Sequence, residues 1–344
     1  MILPILIIIL LMPIIILSSN VINNDVKIKG VAITLSDANN NDVWYDKNLP
    51  KIKKLGATLQ VVTVVTVKSS QDPIPVNDPK ISEKLDRLFR KCDEYGVKVS
   101  FIKPHLMTTE LGDSFRRYTY YPNEINKFFE EWEKIMSYYA WVSKQNDVPL
   151  LSISCETAYL SQNIYVSQWQ SIINKIKLIN PDVKVTMPFT KSEFDRELTY
   201  HEQGKKSVTT LLDYISLNMY PVVKRDHVSE RIKVSDEYFA KTDYKYGFIE
   251  GIKRARQYFD KDILISETGA VSRSDEDKEY IPAINLNPNN PLDHNNQNQW
   301  VKVVLGIILQ MDDVKGVYIW HVNYPFDFLD SPTEKTIKHL FEKY

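Results

Sequence analysis

Ile263-Leu264-Ile265-Ser266-Glu267-Thr268-Gly269 is the stretch on which the fold turns. Four apolar or small residues run straight into a carboxylate, and Thr-Gly breaks the run. The same form recurs at Leu150-Leu151-Ser152-Ile153-Ser154-Cys155-Glu156. Each reads as a short strand, buried on both faces, that delivers a glutamate to its C-terminal end. Strands of that composition belong to parallel sheets whose faces are covered by helices.

Outward from these two stretches the chain alternates between strand and helix. Residues 28–35 read as a first strand, and a helix opened by Trp44-Tyr45 stops at Leu55-Gly56, glycine being a common residue past a helix end. The Val- and Thr-rich run 57–67 is a second strand. The third covers 97–103 and is ended by Pro104-His105; the fourth is 150–155, the fifth 183–187. The sixth lies within 212–221, the seventh is 263–266 and the eighth 316–320. Helical spacing of apolar residues marks 81–95, 128–142, 169–179, 247–259, 300–311 and 333–342. Residues 224–245 are charged and irregular in pattern, and a polar, Asn-rich loop runs from 272 to about 296. Eight such units predict an α/β protein, a single-domain (β/α)8 TIM barrel over residues 28–344. A doubly wound open sheet is the competing fold. No G-x-G-x-x-G follows the first strand, so nothing supports dinucleotide binding.

Residues 2–17 are apolar throughout and are followed by Ser18-Ser19-Asn20. The run is short for a membrane span and long for the core of an export signal. Residues 1–20 read as either a signal peptide or a membrane anchor and stand outside the fold. Either places the barrel outside the cytoplasm, secreted or held at the cell surface. A net charge of -1 argues against a nucleic-acid partner gripped through phosphates. The two cysteines, Cys92 and Cys155, form no C-x-x-C pair and read as buried thiols, with a single disulfide left open.

In a barrel of this type the chemistry lies at the C-terminal strand ends. The third strand brings Lys103 and His105 there, the fourth Cys155-Glu156, the sixth Asn218 and Tyr220, the seventh Glu267 and the eighth Trp320. Trp44 opens the helix that follows the first strand and its polar loop. Six histidines without H-x-H or H-E-x-x-H suggest no metal, and no cofactor is expected. Asp327 and Asp330 read as loop caps. Two carboxylates across a barrel mouth suit glycoside hydrolysis, in which one protonates the leaving oxygen and the other attacks the anomeric carbon or activates water. Ends of the fourth and seventh strands lie across the mouth and can bring the carboxyls to the retaining distance of about 5–5.5 Å.

These strand ends resemble the large clan of retaining (β/α)8 glycosidases. Within it, Phe101-Ile102-Lys103-Pro104-His105 and residues 213–221 are similar to glycoside hydrolase family 113, known for β-mannanases. The resemblance covers nearly all of 28–330, in short islands. It implies Glu156 as acid/base, Glu267 as nucleophile, Tyr220 as the hydrogen-bond donor to that nucleophile and Trp320 as the sugar platform. His105, Asn218, Lys103 and Trp44 complete the expected carbohydrate-binding set. The expected activity is retaining hydrolysis of a β-linked polysaccharide or glycan. A non-catalytic carbohydrate-binding barrel and a transglycosylase are the rivals. For hydrolysis Glu156 needs a raised pKa and Glu267 must stay ionised. Two positions depart from the clan: Cys155 stands where Asn usually precedes the acid/base, and Thr66-Val67-Lys68 where strand two usually carries an Arg.

Overall fold

The computed structural model describes residues 27–109, 117–221, 223–226, 231–234, 245–273, 280–281 and 290–344. Its main sheet contains β1 (Ile28–Thr34), β2 (Thr58–Val67), β3 (Val76–Asn77), β4 (Val99–Thr108), β5 (Leu150–Ser152), β6 (Lys184–Thr186), β7 (Pro188–Phe189) and β8 (Ile215–Asn218). After β9 (Val223–Asp226) and β10 (Arg231–Val234), it takes in β11 (Ile263–Thr268) and, past β12 (Tyr280–Ile281), β13 (Val314–Ile319). The sheet runs β6-β5-β4-β2-β1-β13-β11-β8-β7, all pairs parallel, with the short β3 added antiparallel to β2. Its two ends are halves of one segment: β6 pairs with β5, and β7, just past Met187, pairs with β8. That segment closes the ring, and the expected (β/α)8 barrel is the fold observed.

Alternation along each strand sorts the core. Phe101, Leu150, Leu264 and Tyr318 make a small buried cluster of their own, inside the barrel. Their strand neighbours Ile102, Leu151, Ile265 and Ile319 belong to the larger cluster shared with the helices. Successive strand side chains point to opposite faces, so one strand feeds both layers. Eight α-helices lie among the described residues: α1 (Asp42–Lys54), α2 (Ile81–Tyr95), α3 (Ile125–Gln145), α4 (Val166–Ile179), α5 (Lys191–Glu202), α6 (Phe248–Phe259), α7 (His294–Gln310) and α8 (Pro332–Lys343). Buried Trp132, Trp169 and Trp300 each satisfy the indole N–H on a backbone carbonyl, of Ile153, Leu160 and Pro221 respectively.

Four sequence expectations need correction. Pro104 does not end the third strand, which runs on to Thr108. Pairing with β5 stops at Ile102, so from Lys103 onward only β2 is left as a partner, and a residue without an N–H is tolerated. Helix α5 falls where no element was expected; its start is a capping box, Thr190 accepting from the Glu193 N–H and Glu193 from the Thr190 N–H. Helix α7 begins well before Trp300, because Asp293 caps the N–H groups of Asn295 and Asn296 and so makes an Asn-rich run helical. The region taken as irregular contributes β9 and β10, which with β12 form a separate antiparallel sheet. Both cysteines are buried and free. No helix among the described residues is long and apolar enough to cross a membrane, and the apolar run 2–17 lies outside the described residues.

Gly30 shows how tightly the interior is filled. A Cβ there would sit 2.2 Å from Cδ1 of Tyr318, its partner on β13. The Tyr318 ring cannot swing away cheaply, since it is fully buried and its hydroxyl bonds Ser100 Oγ at 3.0 Å. Gly30→Ala should therefore destabilise the fold by about 1–3 kcal/mol, the usual penalty for overpacking. Urea titration reads the change; an unaltered midpoint would show that the interior has room to spare.

Candidate active site

The C-terminal mouth of the barrel gathers residues from five strands and one loop. On β4 the inward positions, two apart, are Phe101, Lys103 and His105; the first closes the apolar interior and the next two open the polar end. On β8 and just beyond, Asn218 and Tyr220 follow the same period. Strict alternation would allow only one of Ser266 and Glu267 to face the mouth. β11 escapes the rule through register shifts against both neighbours between Ile265 and Thr268, a bulge that turns both side chains inward. Glu156 uses another device. Its φ of 54° lies in the left-handed region, which costs a non-glycine residue of order 1 kcal/mol. Its N–H is fixed on the Pro188 carbonyl at 3.0 Å. Gly269 is obligatory for a third reason: a Cβ there would lie 1.8 Å from the Trp320 carbonyl oxygen.

One hydrogen-bonded cluster joins these residues. Tyr220 donates to Glu267 Oε2 at 2.7 Å, and Lys103 forms a buried ion pair with Oε1. Asn218 Nδ2 donates to Glu156 Oε1 at 2.9 Å and reaches Cys155 Sγ at 3.7 Å. Ser266 donates to Asn218 Oδ1 at 2.9 Å, which fixes which end of the amide faces Glu156. Gln60 Nε2 in turn holds the Ser266 carbonyl. Arg117 Nη2 donates to Glu156 Oε2 at 2.7 Å. Trp320 is half-buried at the rim, with the His105 ring stacked on it at 5.7 Å and the Lys103 ammonium 5.4 Å from its ring centre. Beyond it His321 Nδ1 accepts from the Asn323 N–H, which leaves Nε2–H for Thr34 Oγ1.

Of the residues singled out in the sequence, Glu156, Glu267, Tyr220, Asn218, Lys103, His105 and Trp320 come together here. Trp44 lies at the start of α1, edge-on against Tyr45, and no hydrogen bond among the described residues ties it to either glutamate. Arg117 was missed. It sits in the loop between β4 and α3, next to Arg116, and nothing local tells which of two adjacent arginines turns inward. An arginine therefore does reach the mouth, from the loop before α3 and against Glu156. An amide likewise stands beside Glu156, that of Asn218 on β8.

The charge balance departs from the sequence expectation. Burial drives the Glu156 carboxyl up, but the Arg117 charge and the bonds from Asn218 and Arg117 outweigh it, and its pKa falls below the ordinary 4.5. Burial raises that of Glu267 above 4.5, and Lys103 offsets this only in part. These directions are the reverse of those expected for an acid at Glu156 and a nucleophile at Glu267. Burial, then the charges of Arg117 and Lys103, hold His105 well below the usual imidazole range and hence neutral. Its Nε2 lies 3.6 Å from Glu267 Oε1, without a hydrogen-bond partner among the described residues. Donor atoms of His105, Cys155 and Glu267 lie within 4.8 Å of one another, a convergence of metal-ligand types from two strands and the segment after β5 that no local motif announces. The Lys103 ammonium already neutralises the carboxylate of that set. A cavity of about 540 Å³ at the opposite end of the barrel, lined by Ile28, Leu55, Tyr214, Phe341 and several lysines, has no paired carboxylates.

A closed (β/α)8 barrel with this mouth defines the class: a barrel glycoside hydrolase. The family model of Glycoside Hydrolase Family 113 matches residues 51–336, and the chain belongs to that family. Two solved structures of similar fold are a GH113 β-1,4-mannanase in a complex (15% identity, TM-score 0.69, covering 92% of this chain and 99% of that one) and the GH113 β-mannanase AaManA from Alicyclobacillus acidocaldarius in complex with ManMIm (14% identity, TM-score 0.68, covering 92% and 97%). A β-D-glucuronidase from Dictyoglomus thermophilum shares the fold at 17% identity and a TM-score of 0.57; the match covers 92% of this chain and 51% of that one. Comparison with curated proteins gave no match.

The Tyr220 hydroxyl stabilises the ionised form of Glu267, so Tyr220→Phe should raise the Glu267 pKa further, by about one unit. Titration of the carboxyl by ¹³C NMR reads this directly. An unmoved pKa would mean that the bond contributes nothing to the carboxylate.

Proposed function

We propose that this protein is a retaining glycoside hydrolase that cleaves a β-linked, mannan-like polysaccharide by double displacement. The observation that carries the reading is one buried network linking a glutamate after β5 to a glutamate on β11. Glu267, aligned by Tyr220 and Lys103, attacks the anomeric carbon. Glu156 protonates the departing glycosidic oxygen and then deprotonates the water that releases the sugar. Trp320 offers its exposed face to the apolar side of the sugar ring. Membership of family 113 and the β-mannanases of like fold support this substrate class. The apolar run 2–17 supports action outside the cell, by export or by anchoring.

A Glu156 pKa held below 4.5 means that the acid must gain its proton as the reaction complex forms. The two carboxyl groups titrate as a pair, and only the singly protonated pair reacts. The pH profile of kcat/KM should therefore be a bell, its acid limb below pH 4.5 and its alkaline limb above it, following the opposite shifts of Glu156 and Glu267. A plateau through neutral and alkaline pH would exclude this pair as the titrating groups.

Glu267→Ala should lower kcat by about 10⁴-fold or more on every substrate, as expected for loss of a nucleophile. Glu156→Ala should slow natural glycan hydrolysis far more than that of aryl glycosides with good leaving groups, which need no proton. Trapping with a 2-fluoro mannoside and peptide mapping should label Glu267. A label elsewhere, or near wild-type turnover in both variants, rules the assignment out.

A further inference from the structure

Resting on the hydrolase reading, a charge count at the mouth goes one step further. Glu156, Glu267, Lys103 and Arg117 sum to zero when both carboxyl groups are ionised. The reactive form has Glu156 protonated, which leaves one uncompensated positive charge among the described residues of a buried site. His105 and His321 add none, since burial keeps both rings neutral. Cys155 and Tyr220 add none either, because burial pushes the thiol and the phenol up and both stay protonated. An unpaired buried charge is costly, and a neutral sugar does not relieve it.

The geometry of Arg117 shows where the compensating group belongs. Nε and Nη2 lie on one edge of a guanidinium and match the two oxygens of a planar carboxylate. Glu156 fills only half of that fork: Oε2 takes Nη2, while Oε1 is held by Asn218 on the other side. The adjacent Nε is shielded from water and has no hydrogen-bond partner among the described residues. Once Glu156 is protonated, its grip on Nη2 weakens and the whole edge becomes free. We propose that Arg117 is the receptor for a carboxylate on the substrate, so that the preferred glycan carries a uronic acid at the cleavage site. Binding of that carboxylate draws Arg117 from Glu156 and restores neutrality as the acid takes up its proton.

The test compares aryl β-mannosides with the matching aryl β-mannosiduronates, which differ only at C6. Wild-type enzyme should favour the uronide in kcat/KM by about tenfold or more, the scale of a charge-assisted bidentate contact. Arg117→Gln should bring the ratio close to one; Arg117→Lys, which keeps the charge and loses the fork, should retain part of it and serves as well if the Gln variant does not fold. A wild-type ratio of one or below, or equal losses on both substrates in the variants, overturns the proposal. If neither glycoside is cleaved, the hydrolase reading fails separately. Calorimetry with free mannuronate and mannose then decides on Arg117: uronate binding that Arg117→Gln removes supports the receptor, and absence of uronate binding refutes it.

Discussion

Two carboxylates buried at the end of one barrel are the constraint to which the rest of the mouth answers. Charges leave water at a cost of several kcal/mol each unless partners with good geometry replace the solvent. Lys103 stands against Glu267 and Arg117 against Glu156, with neutral donors Tyr220 and Asn218 on the remaining oxygens. Every carboxylate oxygen thus has a donor, and the donors are themselves braced, Asn218 by Ser266 and the backbone of Ser266 by Gln60. The apolar end of the barrel, closed by Phe101, Leu150, Leu264 and Tyr318, is the rigid floor on which this network rests.

The network needs more inward-facing side chains than a pleated strand can offer. Alternation gives one inward residue in two, yet Ser266 and Glu267 both contribute, as do Cys155 and Glu156. The bulge in β11 and the left-handed backbone at Glu156 solve the same problem by different means. Each sacrifices regular pairing or local stability for position, as functional sites commonly do. Pro104 is an analogous case on β4: it is tolerated because one neighbouring strand has already ended, and it leaves Lys103 and His105 on either side of it inside the mouth.

Much of this was legible in the chain. Short apolar runs ending in Glu156 and Glu267, separated by amphipathic helices, carry the parallel barrel and its polar end, because burial on both faces leaves a strand no other composition. Lys103 with His105 and Asn218 with Tyr220 stand at the ends of strands, where a parallel barrel collects its chemistry. Local signals were passed over at α5 and α7, where Thr190 with Glu193 and Asp293 are ordinary helix starts. Trp44 packs edge-on against Tyr45, and an aromatic at the start of a helix is compatible with packing as well as with a cleft.

The sequence by itself determined the architecture and which strand ends carry the two glutamates and their polar neighbours, because strand burial, periodicity and helix stops are local properties. Tertiary structure decided most of the pairings there. Arg117 meets Glu156 from a loop, Asn218 reaches Glu156 from β8, and His105, Cys155 and Glu267 converge from β4, the segment after β5 and β11. It also decided the protonation balance, since a carboxyl pKa depends on burial and on charges brought near by closure of the ring. Residues separated by 39 positions in Arg117 and Glu156, or by 164 in Lys103 and Glu267, leave no periodic trace of their contact in the chain.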